Sequence, residues 1–120
     1  LLANTMSKYP IPKYNYCGAD NINVFVIDVF GNLFKCWDEV GKKELAIDNI
    51  KNYEKFNFQY KKNYAKWFIT NIFEDKDCID CFYLPICMGG CPFLKDSNKK
   101  NHCVYWKYNL EKYLELVIPK

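Results

Sequence analysis

Two hydrophobic periods alternate along the chain. From Ile22 to Val29 the run INVFVIDV is dense in β-branched and aromatic residues, Phe30-Gly31-Asn32 follows as a turn, and Leu33-Phe34-Lys35-Cys36 resumes the apolar pattern. This is the signature of a β-hairpin, with Gly31 free to take the positive φ a turn needs. Such a ribbon would carry Cys17, just before it, towards Cys36 at its far end. Between Lys42 and Phe56 the apolar patch Leu45, Ile47 and Ile50 fits either a third strand or a turn of helix. Further on, Tyr60, Tyr64, Trp67, Phe68 and Ile72 recur at the spacing of one helical face, with Asn57 placed as a cap. Trp106, Leu110, Tyr113, Leu114 and Val117 do the same between Cys103 and Ile118. Both stripes predict amphipathic helices whose aromatic faces serve as core, and Pro119 ends the second. Leu1–Tyr16, with Pro10 and Pro12 and no sustained period, predicts an extended lead-in. The expected fold class is α+β, a small domain with a β-hairpin followed by helices.

Composition narrows the function. A length of 120 residues suits one domain with a modest core, and a chain that is 50% apolar and 18% aromatic is no disordered tail. All 17 basic residues are lysines, interleaved with 14 acids. The absence of arginine argues against nucleic acid, because base reading and bidentate phosphate clamping rely on the guanidinium fork. No stretch of 18 apolar residues predicts a membrane span, and no signal peptide is visible, so a reducing, cytoplasmic setting is expected. The chain opens on Leu1 with no initiator methionine, which predicts an excised or processed piece whose activity belongs partly to a missing segment.

The seven cysteines are the densest chemistry. An odd number cannot all pair within the chain, and a thioredoxin-like redox pair would need only one C-x2-C in a βαβ unit. Cys78, Cys81, Cys87 and Cys91 instead form C-x2-C-x5-C-x3-C with Pro92 directly behind. Thiolates at this spacing wrap a metal or cluster in a tight turn, with Asp77 placed to cap it and Gly89 and Gly90 relieving the crowding of a close backbone approach.

Two metal chemistries compete. Seven cysteines plus the single histidine, His102, make the eight ligands of two tetrahedral zinc sites, as in a zinc-binding interaction module. His102, however, directly precedes Cys103, and adjacent side chains point in different directions. Iron–sulfur clusters suit the long spacings better: they accept ligands from remote parts of the chain, and in two-cluster ferredoxins the cysteine before a proline ligates the other cluster. By that pattern Cys91 would leave Cys78, Cys81 and Cys87 to one cluster and join the distant hairpin pair.

Read together, the cysteines follow C-x13-G-x4-C, a gap, C-x2-C-x5-C-x3-C, a gap, and C, with Gly31 in the glycine position before Cys36. This resembles the SPASM domain, the C-terminal auxiliary-cluster module of radical SAM enzymes that mature peptides and proteins, such as the anaerobic sulfatase-maturating and thioether-forming enzymes. The match runs from Cys17 to Cys103. The resemblance implies a domain over residues 17–120 organised around two 4Fe-4S clusters, with residues 1–16 as the linker from an upstream catalytic barrel. It assigns Cys17, Cys36 and Cys91 to the first auxiliary cluster and Cys78, Cys81, Cys87 and Cys103 to the second. Some members add a cysteine between the first pair, and none lies between Cys17 and Cys36 here, so the first cluster is expected to have an open iron. Substrate, Asp20, Asp28 or water are the candidates for that position.

The same resemblance implies S-adenosylmethionine chemistry only in the missing barrel. A radical SAM site needs C-x3-C-x2-C, and after Cys87-x3-Cys91 the third position is Leu94. This chain is therefore not expected to be catalytic alone. The partners implied are a peptide or protein substrate, the upstream barrel and an external electron donor, with no nucleic acid and no membrane.

Overall fold

The expected hairpin forms, shorter than its sequence run. The computed structural model describes residues 9–55, 57, 61–69, 71–98 and 103–118, with the backbone alone for 96–98. Strands β1 (Val26–Ile27), β2 (Asn32–Phe34) and β3 (Asp48–Asn49) make an antiparallel sheet in that order. The register pairs Val26 with Phe34, Ile27 with Leu33, and Leu33 with Asp48. The Asp28 carboxylate builds the turn by accepting from the backbone N–H of Phe30 at 2.9 Å and of Asn32 at 2.8 Å, while Gly31 donates to the Asp28 carbonyl at 3.0 Å. Gly31 sits at φ +83°, and a Cβ there would lie 2.8 Å from Ile50 Cγ2, so both backbone and space require glycine. The α+β class is what the chain adopts: a small antiparallel sheet with several short helices.

Two compact units make up the chain. The first, Cys17–Asn71, holds the sheet. The apolar patch that suited strand or helix supplies both: Leu45 ends a 3-10 turn (Lys43–Leu45), Ile47 is buried beside β3 and donates to the Leu33 carbonyl at 2.8 Å, and Ile50 opens a second 3-10 segment. Val26, Leu33, Phe34, Ile47, Tyr64 and Trp67 form the core. Lys35 is buried among them at 2% exposure. Its ammonium donates to the carbonyls of Asn21 at 2.5 Å and Val24 at 2.7 Å and lies about 5 Å from the rings of Phe25, Tyr64 and Phe68.

The first aromatic stripe does not make one long helix. Helix α1 is a single turn (Lys62–Ala65) continued by a 3-10 turn (Lys66–Phe68), and its N-terminal flank is Lys61 in extended conformation, not Asn57. Anchors to the sheet side fix this short piece: Lys61 pairs with Asp48 at 3.1 Å, and the Asn63 amide donates to the carbonyls of Glu44 and Ala46. Tyr64 and Trp67 are core as expected, Tyr60 lies outside the described residues, and Ile72 belongs to the other unit.

That second unit comprises the described parts of Leu1–Tyr16 and Ile72–Lys120. It contains α2 (Lys76–Ile79), α3 (Leu84–Cys87), α4 (Pro92–Asn98) and α5 (Trp106–Val117). The lead-in is tied to α3 by the Lys13 N–H, which donates to the Pro85 carbonyl at 2.8 Å. In α5 the predicted stripe of Trp106, Leu110, Tyr113, Leu114 and Val117 is half-buried while Lys107, Tyr108, Glu111 and Lys112 are exposed. The helix starts three residues later than expected, at Trp106, and Pro119 lies outside the described residues. Among the described residues of this unit, those buried are Cys78, Cys87, Gly89 and Gly90. No helix of the described residues is long and apolar enough to cross a membrane.

Candidate metal centre

Short helices place the thiols. Asp75 starts α2, its Oδ1 accepting from the Asp77 N–H at 3.0 Å, so the cap is Asp75 and not Asp77, which lies inside the helix. Cys78 sits on that single turn, and the Cys81 N–H folds back to the Cys78 carbonyl at 3.0 Å. Pro85 in the first turn of α3 presets the backbone that delivers Cys87. The chain then reverses sharply through Met88, Gly89 and Gly90, all at positive φ. At Gly89 a Cβ would lie 2.6 Å from Ile72 Cδ1, so Ile72 packing sets the need for glycine there. Cys103 arrives just before α5.

These four thiols share one cavity. Cys78, Cys81, Cys87 and Cys103 line a pocket of about 380 Å³ together with Asp77, Tyr83, Lys107 and Tyr108. They are the four residues that the resemblance assigns to the second cluster. Cys78 and Cys87 are buried, whereas Cys81 and Cys103 are partly exposed. Burial pushes the Cys78 thiol up from its ordinary value; the Asp75 carboxylate adds to this, Lys95 opposes it, and Cys87 and Cys103 add further. Asp75 is itself paired with Lys95. Among the described residues, no three histidine, cysteine or acidic side chains are gathered tightly enough to hold a single metal ion. Four cysteines on the wall of one cavity are a soft donor set, the kind that suits a thiolate-bound group.

The other three cysteines are divided between the units. Cys17 and Cys36 lie in the sheet-containing unit and Cys91 in the helical one. The Cys17 N–H donates to Asp20 Oδ2 at 3.4 Å, and the Cys36 thiol donates to Asp38 Oδ2 at 3.5 Å. Cys17 and Asp20 both act electrostatically on Lys35, the residue before Cys36. Asp28, one candidate for the open iron, has its carboxylate committed to the hairpin turn. Cys91 immediately precedes α4 and accepts the Lys95 N–H through its carbonyl at 3.0 Å. His102 lies outside the described residues. A shared site for Cys17, Cys36 and Cys91 therefore rests on the sequence pattern alone.

Sequence reasoning passed over Lys107, Tyr83 and Tyr108 as wall residues of the cavity. The available signal was the spacing of Lys107 four residues after Cys103 at the entry to a predicted helix, which brings its Nζ to 3.5 Å from Cys103 Sγ. Against protein-family models, curated proteins and solved structures, the chain finds no match.

Proposed function

We propose that this chain is the auxiliary iron–sulfur domain of a radical SAM enzyme that modifies a peptide or protein in the cytoplasm. Cys78, Cys81, Cys87 and Cys103 hold one 4Fe-4S cluster, and Cys17, Cys36 and Cys91 hold a second with an iron left for substrate or another ligand. Such clusters supply electron transfer and, at an open iron, substrate binding. The observation that carries this reading is the convergence of four cysteines, from three separate stretches of chain, on one cavity of about 380 Å³. Burial supports it further: the buried side chains among the described residues of this unit are two of those same cysteines. A unit that buries thiols in place of aliphatic side chains is one whose folding draws on a bound group.

The chain's own residues then have defined tasks. Asp75 caps the turn that presents Cys78, Pro85 starts the turn that ends at Cys87 before the Met88–Gly90 reversal, and Cys103 lies on the stretch leading into α5. Anaerobic reconstitution with iron and sulfide tests the proposal. It predicts brown protein with about eight irons and eight sulfides per chain. Colourless protein holding two tightly bound zinc ions under the same conditions would instead identify a zinc module.

A further inference from the structure

One cation stands on the wall of the four-thiol cavity. Among the residues lining it, Lys107 is the single basic side chain. It sits in the first turn of α5, with its backbone N–H bonded to the Val104 carbonyl at 3.1 Å. Its ammonium donates to Cys103 Sγ at 3.5 Å. Cys81 lines the same cavity. The acidic group on the same wall is Asp77; the carboxylate of Asp75, which acts on Cys78, is already answered by Lys95.

We propose that Lys107 is a positioning residue that tunes the redox poise of the centre held by Cys78, Cys81, Cys87 and Cys103, raising its reduction potential. The inference rests on the iron–sulfur reading of the cavity. Reduction adds one electron from a low-potential one-electron donor, dithionite in the test below; no covalent bond forms or breaks and no proton has to move. That electron enters a site already crowded with thiolate charge. A cation bonded to a ligand sulfur stabilises the added charge, and hydrogen bonding to sulfur and local net charge are two of the levers by which proteins set cluster potentials. Lys107 is solvent-facing, so its influence is that of one exposed charge at contact distance.

The test compares the full reconstituted chain with Lys107→Gln, Lys107→Met and Lys107→Arg. Iron and sulfide are counted first, and then each cluster's midpoint is followed by anaerobic dithionite titration with electron paramagnetic resonance. In the Gln and Met variants one midpoint is expected to move to more negative values. The reduced-to-oxidised ratio at a fixed potential should fall roughly threefold to tenfold. The other midpoint should stay, and Lys107→Arg should return close to wild type. Full iron content with both midpoints unmoved would overturn this inference and leave the cluster reading intact. An equal shift in Lys107→Arg would overturn it too, as would neutral variants that hold no iron while Lys107→Arg does. A wild-type chain that takes up no iron would overturn both readings.

Discussion

On the proposed iron–sulfur reading, chelation is expected to unfold one unit and spare the other. In the sheet-containing unit Val26, Leu33, Phe34 and Ile47 are buried at 8% exposure or less. Four such side chains contribute about 6–12 kcal/mol of gross apolar burial, at ~1.5–3 kcal/mol each. In the helical unit no aliphatic or aromatic side chain among the described residues is buried to that degree. Its helices α2 and α3 are single turns of four residues, which do not persist on backbone bonds alone. Anaerobic chelation should therefore strip protection from the amides of Cys78, Ile79, Cys81, Leu84, Cys87 and Met88, whose hydrogen bonds define those turns. Amides of β1, β2 and β3 should keep theirs. Hydrogen exchange read by mass spectrometry on loaded and chelated protein compares both units at once. Equal loss in the two units, or full protection of α2 and α3 without metal, would refute the reasoning.

Other outcomes follow from single residues. Lys35→Met keeps the stem but orphans the Asn21 and Val24 carbonyls. At ~1–3 kcal/mol per unsatisfied group, set against the desolvation of the lost ammonium, a net cost of about 2–3 kcal/mol is expected. Exchange of the Val26 to Phe34 amides should then accelerate roughly 30- to 140-fold; an unchanged rate would show that the buried ammonium gives no net stability. For Asp28, desolvation raises the carboxyl's pKa, but hydrogen bonds from the Asn32 side chain and the backbone of Asn32, Phe30 and Gly31 outweigh it and hold it below the usual carboxylate value. Its contribution is thus complete above the unfolded pKa of about 3.9 and lost as pH falls through the lower folded value. Amide exchange at Phe30 and Asn32 should show this acid loosening, and Asp28→Ala should abolish its pH dependence. Cys91→Ser should raise exchange around Cys17 and Cys36 more than Cys81→Ser does, because Cys91 alone of the C-x2-C-x5-C-x3-C set would share a cluster with them. Equal effects would count against that crossed ligation.

The parts of the fold legible in the sequence are those fixed by local physics. The hairpin was readable because β-branched residues flank a glycine whose positive φ and clash with Ile50 leave little choice. Helix α5 was readable because its stripe is long enough to act as a period, and the half-buried face is the predicted one. The stripe from Tyr60 to Ile72 misled because two different units use it: Tyr64 and Trp67 enter the sheet's core, whereas Ile72 packs at Gly89. That division is a tertiary fact with no local marker. Asp75 displaced Asp77 as the cap because the turn begins two residues earlier than a cap at Asp77 would place it. In the candidate site, spacing grouped Cys78, Cys81 and Cys87, and only the family resemblance added Cys103, the fourth cysteine on the cavity wall. Lys107 was marked only by its spacing four residues after Cys103, a weak signal for one lysine among 17 until the start of α5 brings it to that thiol.

The central claim is that Cys78, Cys81, Cys87 and Cys103 together hold one 4Fe-4S cluster. It is tested most directly by counting iron and acid-labile sulfide in anaerobically reconstituted wild type beside a variant with all four changed to serine. The account predicts a fall from about eight of each per chain to about four. Retention of the full complement in the variant, or zinc in place of iron in the wild type, would contradict it.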